Sequence, residues 1–211
     1  MSTQTFYFPP NQGDLLLGGK QQKVQTNLDV ICLLQNLKVS GSLPTETEQA
    51  LLAQYTGWGN TVVYKEAADE LGKLLAEKEL NALKASMLNA HYTSLDIIQA
   101  IWAGVEQVFS GRMDALHVLD PSAGIGHFRS LEPEAFRDKT RWLEVELEPL
   151  TASILTHLHP QKEGRSQVYA GGFEQAPVQE DQFDLVISNI PFGNYPVIDH
   201  QIKDMRLKGS I

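Results

Sequence analysis

The strongest constraint on this chain is a change of pattern after Asn89. From there, short apolar runs alternate with helical spacing. Leu116-His117-Val118-Leu119-Asp120, Trp142 to Glu146, Gln167 to Ala170 and Phe183 to Ser188 each have strand length. Between the second and third lies Leu150 to Leu158, spaced as a helix. Strands that alternate with helices predict an α/β fold with a parallel sheet and helices on both faces, because parallel neighbours need crossover connections.

The first part of the chain reads differently. Residues 1–20 hold Pro9-Pro10, Gly13 and Gly18-Gly19 and predict an extended or loosely ordered arm. Leu28, Ile31, Leu34 and Leu37 fall on one face of a helix over Asn27 to Leu37, broken by Ser40-Gly41-Ser42. A second helix opens at Pro44-Thr45, where Thr45 and Glu48 have capping-box spacing, and Gly57-Trp58-Gly59 closes it. Residues 64–87 predict one helix with apolar positions Leu71, Leu74, Leu75, Leu80 and Leu83. Ser94 is placed to cap a further helix through Ile98, Trp102 and Val105. The division is therefore a helical region with an arm over 1–88 and an α/β core over 89–211.

Composition excludes several classes. Among 211 residues the apolar fraction is 42% and the charged fraction 20%, as in ordinary globular chains. No apolar run approaches the roughly 18 residues of a membrane span, and the N-terminus has no secretion pattern. A cytoplasmic protein without membrane partners is expected. The one cysteine, Cys32, lies in the apolar run Val30 to Leu34 and is expected in the core. Cysteine and histidine spacing suggests no metal site. The net charge of −9 argues against strong binding of nucleic acid by this segment alone, since phosphates call for cations.

Three places carry candidate chemistry. Asp120-Pro121-Ser122-Ala123-Gly124-Ile125-Gly126 follows the first strand and precedes a helix. Its glycines let backbone approach a ligand, and its Asp suits a ligand with a cationic amino-acid end. A tight turn without a ligand is the plainer alternative. Glu146 ends the second strand, where an acidic side chain can accept both hydroxyls of a ribose. The alternative is a solvated carboxylate, since Glu144 and Glu148 flank it. Asn189-Ile190-Pro191-Phe192 follows the fourth strand. The Asn189 side chain and the carbonyl of Ile190 can accept both protons of an amino group, Pro191 stiffens the turn, and Phe192 offers a face for a base.

In that order these segments resemble the first, second and fourth motifs of amino-group DNA methyltransferases of the gamma arrangement. Asn89-Ala90-His91-Tyr92-Thr93-Ser94 resembles the motif over the methionine end of their cofactor. Gln54-Tyr55-Thr56-Gly57-Trp58-Gly59, then Leu88 to Thr93, then Ile187 to Gly193 together resemble the N-terminal region of large methyltransferase–helicase fusions of phages and conjugative elements. The resemblance runs from about Asn27 to the end of the chain. It implies a Rossmann-like S-adenosylmethionine-dependent methyltransferase fold with an incomplete sheet.

The resemblance also implies roles. S-adenosylmethionine is the cofactor. Tyr92 and Thr93 line its methionine end, Asp120 and Ser122 hold its amino-acid part, Gly124 and Gly126 give clearance, Glu146 binds the ribose, and Gly172 and Phe173 meet the adenine ring. Asn189 and Ile190 hold the target amino group, and Phe192 stacks the target base. The sequence departs from the pattern twice. Ile190 replaces a proline, where a backbone carbonyl suffices. Gly172 stands where the third motif offers an Asp, with Glu174 two residues on. The implied reaction is methylation of the adenine amino group in flipped-out DNA. A glutamine-side-chain or RNA amino-methyltransferase, and a non-catalytic module for assembly or DNA tethering, are the alternatives. DNA and a fused helicase are the implied partners. Four strand candidates against the family's seven predict that this chain alone is silent and self-associates through an open sheet edge.

Overall fold

A computed structural model describes residues 4–9, 18–87, 92–111, 115–162 and 164–190. Its centre is a four-stranded parallel sheet in the order β3-β2-β1-β4, built from β1 (Leu116–Asp120), β2 (Thr140–Glu146), β3 (Ser166–Ala170) and β4 (Leu185–Val186). The fold is α/β and Rossmann-like, as expected. β1 has the predicted bounds, and β2 and β3 begin slightly earlier than predicted. β4 is much shorter than Phe183 to Ser188, although Asp184 and Ile187 still donate amides to His117 and Leu119 at 2.9 and 3.0 Å.

The strands alternate between two unlike faces. Leu116, Val118, Trp142 and Leu185 share one face with Ile98 and Trp102 of helix α5 (Leu95–Val108). Two short helices, α6 (His127–Ser130) and α7 (Glu134–Arg137), lie between β1 and β2, and Val168 meets Leu155 of helix α8 (Pro149–Leu158) on that face. Leu119, Leu143, Val145 and Tyr169 occupy the other face and pack against Ala176, Val178 and Phe183. The expected helices on both faces are thus not found among the described residues. An irregular segment rich in polar residues covers the second face, and such a segment carries no periodicity to read.

Before the sheet lie α1 (Lys20–Ser40), α2 (Glu46–Leu52), α3 (Thr61–Leu74) and α4 (Glu77–Ser86). α2 starts with the expected capping box: Glu48 donates its amide to the Thr45 hydroxyl, and the Thr45 amide donates to the Glu48 carboxylate at 2.7 Å. The single helix expected over 64–87 is two. Leu75 turns extended to bury its side chain, and the Ala76 amide is capped by the Glu79 carboxylate at 3.0 Å. Apolar spacing continues across the break, so periodicity alone joins the two. Ser94 precedes α5 but makes no side-chain cap.

One further expectation is narrowed and one is corrected. Of the two readings of the arm, the loosely ordered one does not hold where the arm is described. Phe6 and Phe8 donate amides to Leu158 and Ser130 at 2.8 and 2.9 Å, and Phe8 is buried. Aromatic side chains anchor it, which the prolines and glycines around them conceal. Cys32 is exposed rather than in the core, because Val30, Ile31, Leu34 and Leu37 take the buried face of α1. One apolar cluster joins both parts of the chain, with Ile31, Leu52, Tyr55 and Trp58 packed alongside Ile125, Ile154 and Leu158.

Candidate functional site

The strand order reverses between β1 and β4, and in open α/β sheets the ligand crevice lies outside the carboxyl ends of the strands at such a point. Two predicted segments meet there. Asp120 ends β1 and is buried. Its Oδ1 accepts the Ser122 amide at 3.2 Å and the Ser188 hydroxyl at 2.7 Å. Ser188 immediately precedes Asn189, so the cofactor-type turn and the catalytic-type turn share one carboxylate oxygen.

The turn after β1 needs its glycines for different reasons. Gly124 has φ of +57°, and a Cβ there would lie 3.3 Å from the ring of Tyr92. Gly126 has φ of +82°, and a Cβ there would lie 2.5 Å from the His159 ring and 2.7 Å from Leu155. Clearance at Gly126 therefore admits the protein's own His159, whose Nε2 also contacts the Gly126 carbonyl at 3.1 Å. Burial and the nearby Arg129 hold His159 well below the usual histidine range, so the ring is neutral.

Glu146 closes the site on the β2 side. Its two carboxylate oxygens accept the amides of Gly124 at 2.9 Å and Glu148 at 2.8 Å. Each oxygen keeps a further lone pair. The third loop starts beside it: Gly171 donates its amide to the Glu146 carbonyl at 2.9 Å. Phe173 then stands 45% exposed on a short 3-10 turn. The Glu174 carboxylate folds over Gly172, so the carboxylate two residues on does occupy the space beside that glycine.

The electrostatics are one-sided. Burial pushes the Asp120 carboxyl up to about 8, against the pull of Ser188 and Ser122. Burial likewise pushes Glu146 up to about 7, against the amides of Glu148 and Gly124. Among the described residues no ion pair reaches either group. Buried carboxylates without a cation suit a ligand that brings one.

The structure thus gathers Tyr92, Asp120, Ser122, Gly124, Glu146 and the start of the Asn189 turn. Thr93 is half-buried beside Tyr92, and Ile190 is exposed at the end of the described segment. Pro191 and Phe192, and Asn89 to His91, lie outside the described residues. Sequence reasoning gave Ser188 no role of its own. It also named Glu144 only as an acid flanking Glu146, whereas Glu144 is fully buried against Arg129. Alternation along β2 holds the hint, since Glu144 shares a face with buried Trp142. Glu148 proves to be the cap of α8, accepting the Leu150 and Thr151 amides at 3.0 and 2.7 Å. An acid before Pro149 is a legible sign of that.

No family model and no curated protein matches the chain. It is similar to the methyltransferase subunit of a type I restriction-modification system from Streptococcus thermophilus, with 19% identity and a TM-score of 0.40 over 52% of this chain and 26% of that one. It is also similar to a protein of Listeria monocytogenes described as a class I S-adenosylmethionine-dependent methyltransferase, with 18% identity and a TM-score of 0.43 over 84% of this chain and 60% of that one. The chain therefore spans less than two thirds of either structure.

Proposed function

We propose that this chain carries the cofactor site and the target-nitrogen turn of an S-adenosylmethionine-dependent methyltransferase acting on the amino group of adenine in DNA. The observation that supports this best is the convergence of Asp120, Glu146 and the Gly124 turn at one end of the sheet, with Ser188 joining Asn189 to it. The donor set fits the cofactor's chemistry. Asp120 would meet its ammonium end, Glu146 would accept ribose hydroxyls, and Tyr92 and Phe173 would pack against it. When bound, the cofactor supplies an electrophilic methyl group on a sulfonium.

The protein's own part is positioning. Asn189 and the Ile190 carbonyl would accept both protons of the adenine amino group, which frees a lone pair otherwise conjugated with the ring. The base must leave the duplex to arrive there, and Phe192 would stack on it. No covalent thiol is called for, and Cys32 lies on α1, remote in sequence from these turns. In this reading DNA is the partner in the intact protein, a helicase is fused to it, and the setting is the cytoplasm. Among the described residues no helix is long and apolar enough to cross a membrane.

The test is transfer of a labelled methyl group to DNA, RNA and glutamine-containing peptide by the intact protein. Label is expected in DNA as N6-methyladenine, and Asn189→Ala is expected to abolish it while cofactor affinity stays within about twofold. Label in RNA or peptide instead would replace the substrate. Cofactor binding without transfer to any of the three would favour an assembly or tethering module.

A further inference from the structure

We infer that Ser188 is a positioning residue, one that locks the turn bearing Asn189 to the cofactor-side turn through Asp120. The sheet ladder reaches Ile187, whose amide donates to the Leu119 carbonyl at 3.0 Å. Ile187 is buried in the α5 side of the core, while β4 itself spans only Leu185–Val186. So short a strand is a weak foundation for a turn that must hold a reacting nitrogen. One residue on, the Ser188 hydroxyl donates to Asp120 Oδ1 at 2.7 Å. Asp120 is 1% exposed and is itself held by β1, which pairs with both β2 and β4.

The same Oδ1 accepts the Ser122 amide from the turn over which Gly124 and Glu146 meet. Ser188 therefore connects two loops that the backbone ladder leaves separate. A ligand that draws on Asp120 acts, through one hydroxyl, on the residue next to Asn189. Misplacement of a reacting group by about 1 Å can cost on the order of 100-fold in rate. A lost tether at this point therefore falls on turnover rather than on cofactor affinity.

The inference rests on the amino-methyltransferase reading for its kinetic consequence, and on the ligand-free fold for its structural one, so two measurements separate them. Amide hydrogen exchange on the ligand-free intact protein compares the parent with Ser188→Ala and Ser188→Thr. Exchange at residues 188–190 is expected to quicken by about tenfold or more in Ser188→Ala and to return to the parental rate in Ser188→Thr. Unchanged exchange in Ser188→Ala overturns the tether whatever the activity. Methyl transfer to DNA is then measured on the same proteins. Ser188→Ala is expected to lose roughly 10- to 100-fold in kcat, with KM for S-adenosylmethionine within about threefold, and Ser188→Thr to recover. Equal losses in kcat and cofactor affinity, or unchanged kcat, overturn the positioning role. A parent that transfers no methyl group, while exchange still depends on the Ser188 hydroxyl, removes the methyltransferase reading and leaves the tether standing.

Discussion

The Arg129 guanidinium donates to the Glu144 carboxylate at 2.8 Å, and the pair is shut away from water, with side chains 6% and 0% exposed. It joins the short helix α6 (His127–Ser130), directly after the glycine turn, to the strand whose last residue is Glu146. Arg129 also donates to the Thr5 hydroxyl at 3.1 Å, which brings the N-terminal arm into the same network. Burial raises the Glu144 carboxyl, and the Arg129 guanidinium opposes that rise.

Breaking this pair on one side leaves a buried charge. Arg129→Met is expected to lower the unfolding free energy by about 3–5 kcal/mol, while the double variant Arg129→Met/Glu144→Leu loses clearly less. Urea denaturation of the three proteins measures this. A double variant no more stable than Arg129→Met would mean that the pair is not coupled.

The two glycines of the turn should separate structure from binding. Gly126→Ala puts a Cβ into the His159 ring and into a left-handed backbone at once. It is expected to cost about 1–2 kcal/mol for the conformation and about 1–3 kcal/mol for the overlap. Gly124→Ala meets only Tyr92, at 3.3 Å, so its stability loss should approach the conformational part alone. Its larger effect is expected on binding of S-adenosylhomocysteine by calorimetry.

The buried carboxylates make stability depend on pH. Asp120 moves from its ordinary 3.8 up to about 8 on folding, and Glu146 from 4.5 up to about 7. A raised folded-state value favours the folded protein below the unfolded value, and that contribution is lost as pH climbs through the folded one. The ligand-free protein should therefore lose stability between about pH 4 and pH 8. Asp120→Asn and Glu146→Gln should each flatten that decline in urea midpoints. A midpoint that rises over this window in the parent would contradict the assignment.

Ligand binding should run the opposite way. A cationic ammonium beside Asp120 favours the ionised carboxyl, so affinity for S-adenosylhomocysteine is expected to rise from about pH 6 to about pH 8. Asp120→Ala and Glu146→Ala should weaken it, and Asp120→Ala should also remove most of the pH dependence. Titration calorimetry across that range checks both.

The exposure of Cys32 gives a simple chemical check. Its thiol on the solvent side of α1 is expected to react with a disulfide reagent in the native protein at a rate close to that in denaturant. Protection by more than about tenfold would return it to the core.

The sequence by itself determined what local chemistry determines. Apolar runs of strand length placed all of β1 and most of β2 and β3. Thr45 and Glu48 made their cap because its partners are three residues apart. Asp120, Gly124 and Glu146 were legible because acids at strand ends and a glycine in the turn between them are residue types that a ligand-facing loop calls for. Tertiary structure decided whatever depends on residues far apart in the chain. Phe6 and Phe8 anchor the arm only because Leu158 and Ser130 offer carbonyls there. The helix over 64–87 broke at Leu75 because burial outweighed its local preference. Glu144 left the solvent because Arg129 arrived from another element. Ser188 bonds to Asp120, 68 positions earlier, and no local pattern records such a pairing; only the parallel alignment of β1 with β4 brings hydroxyl and carboxylate together.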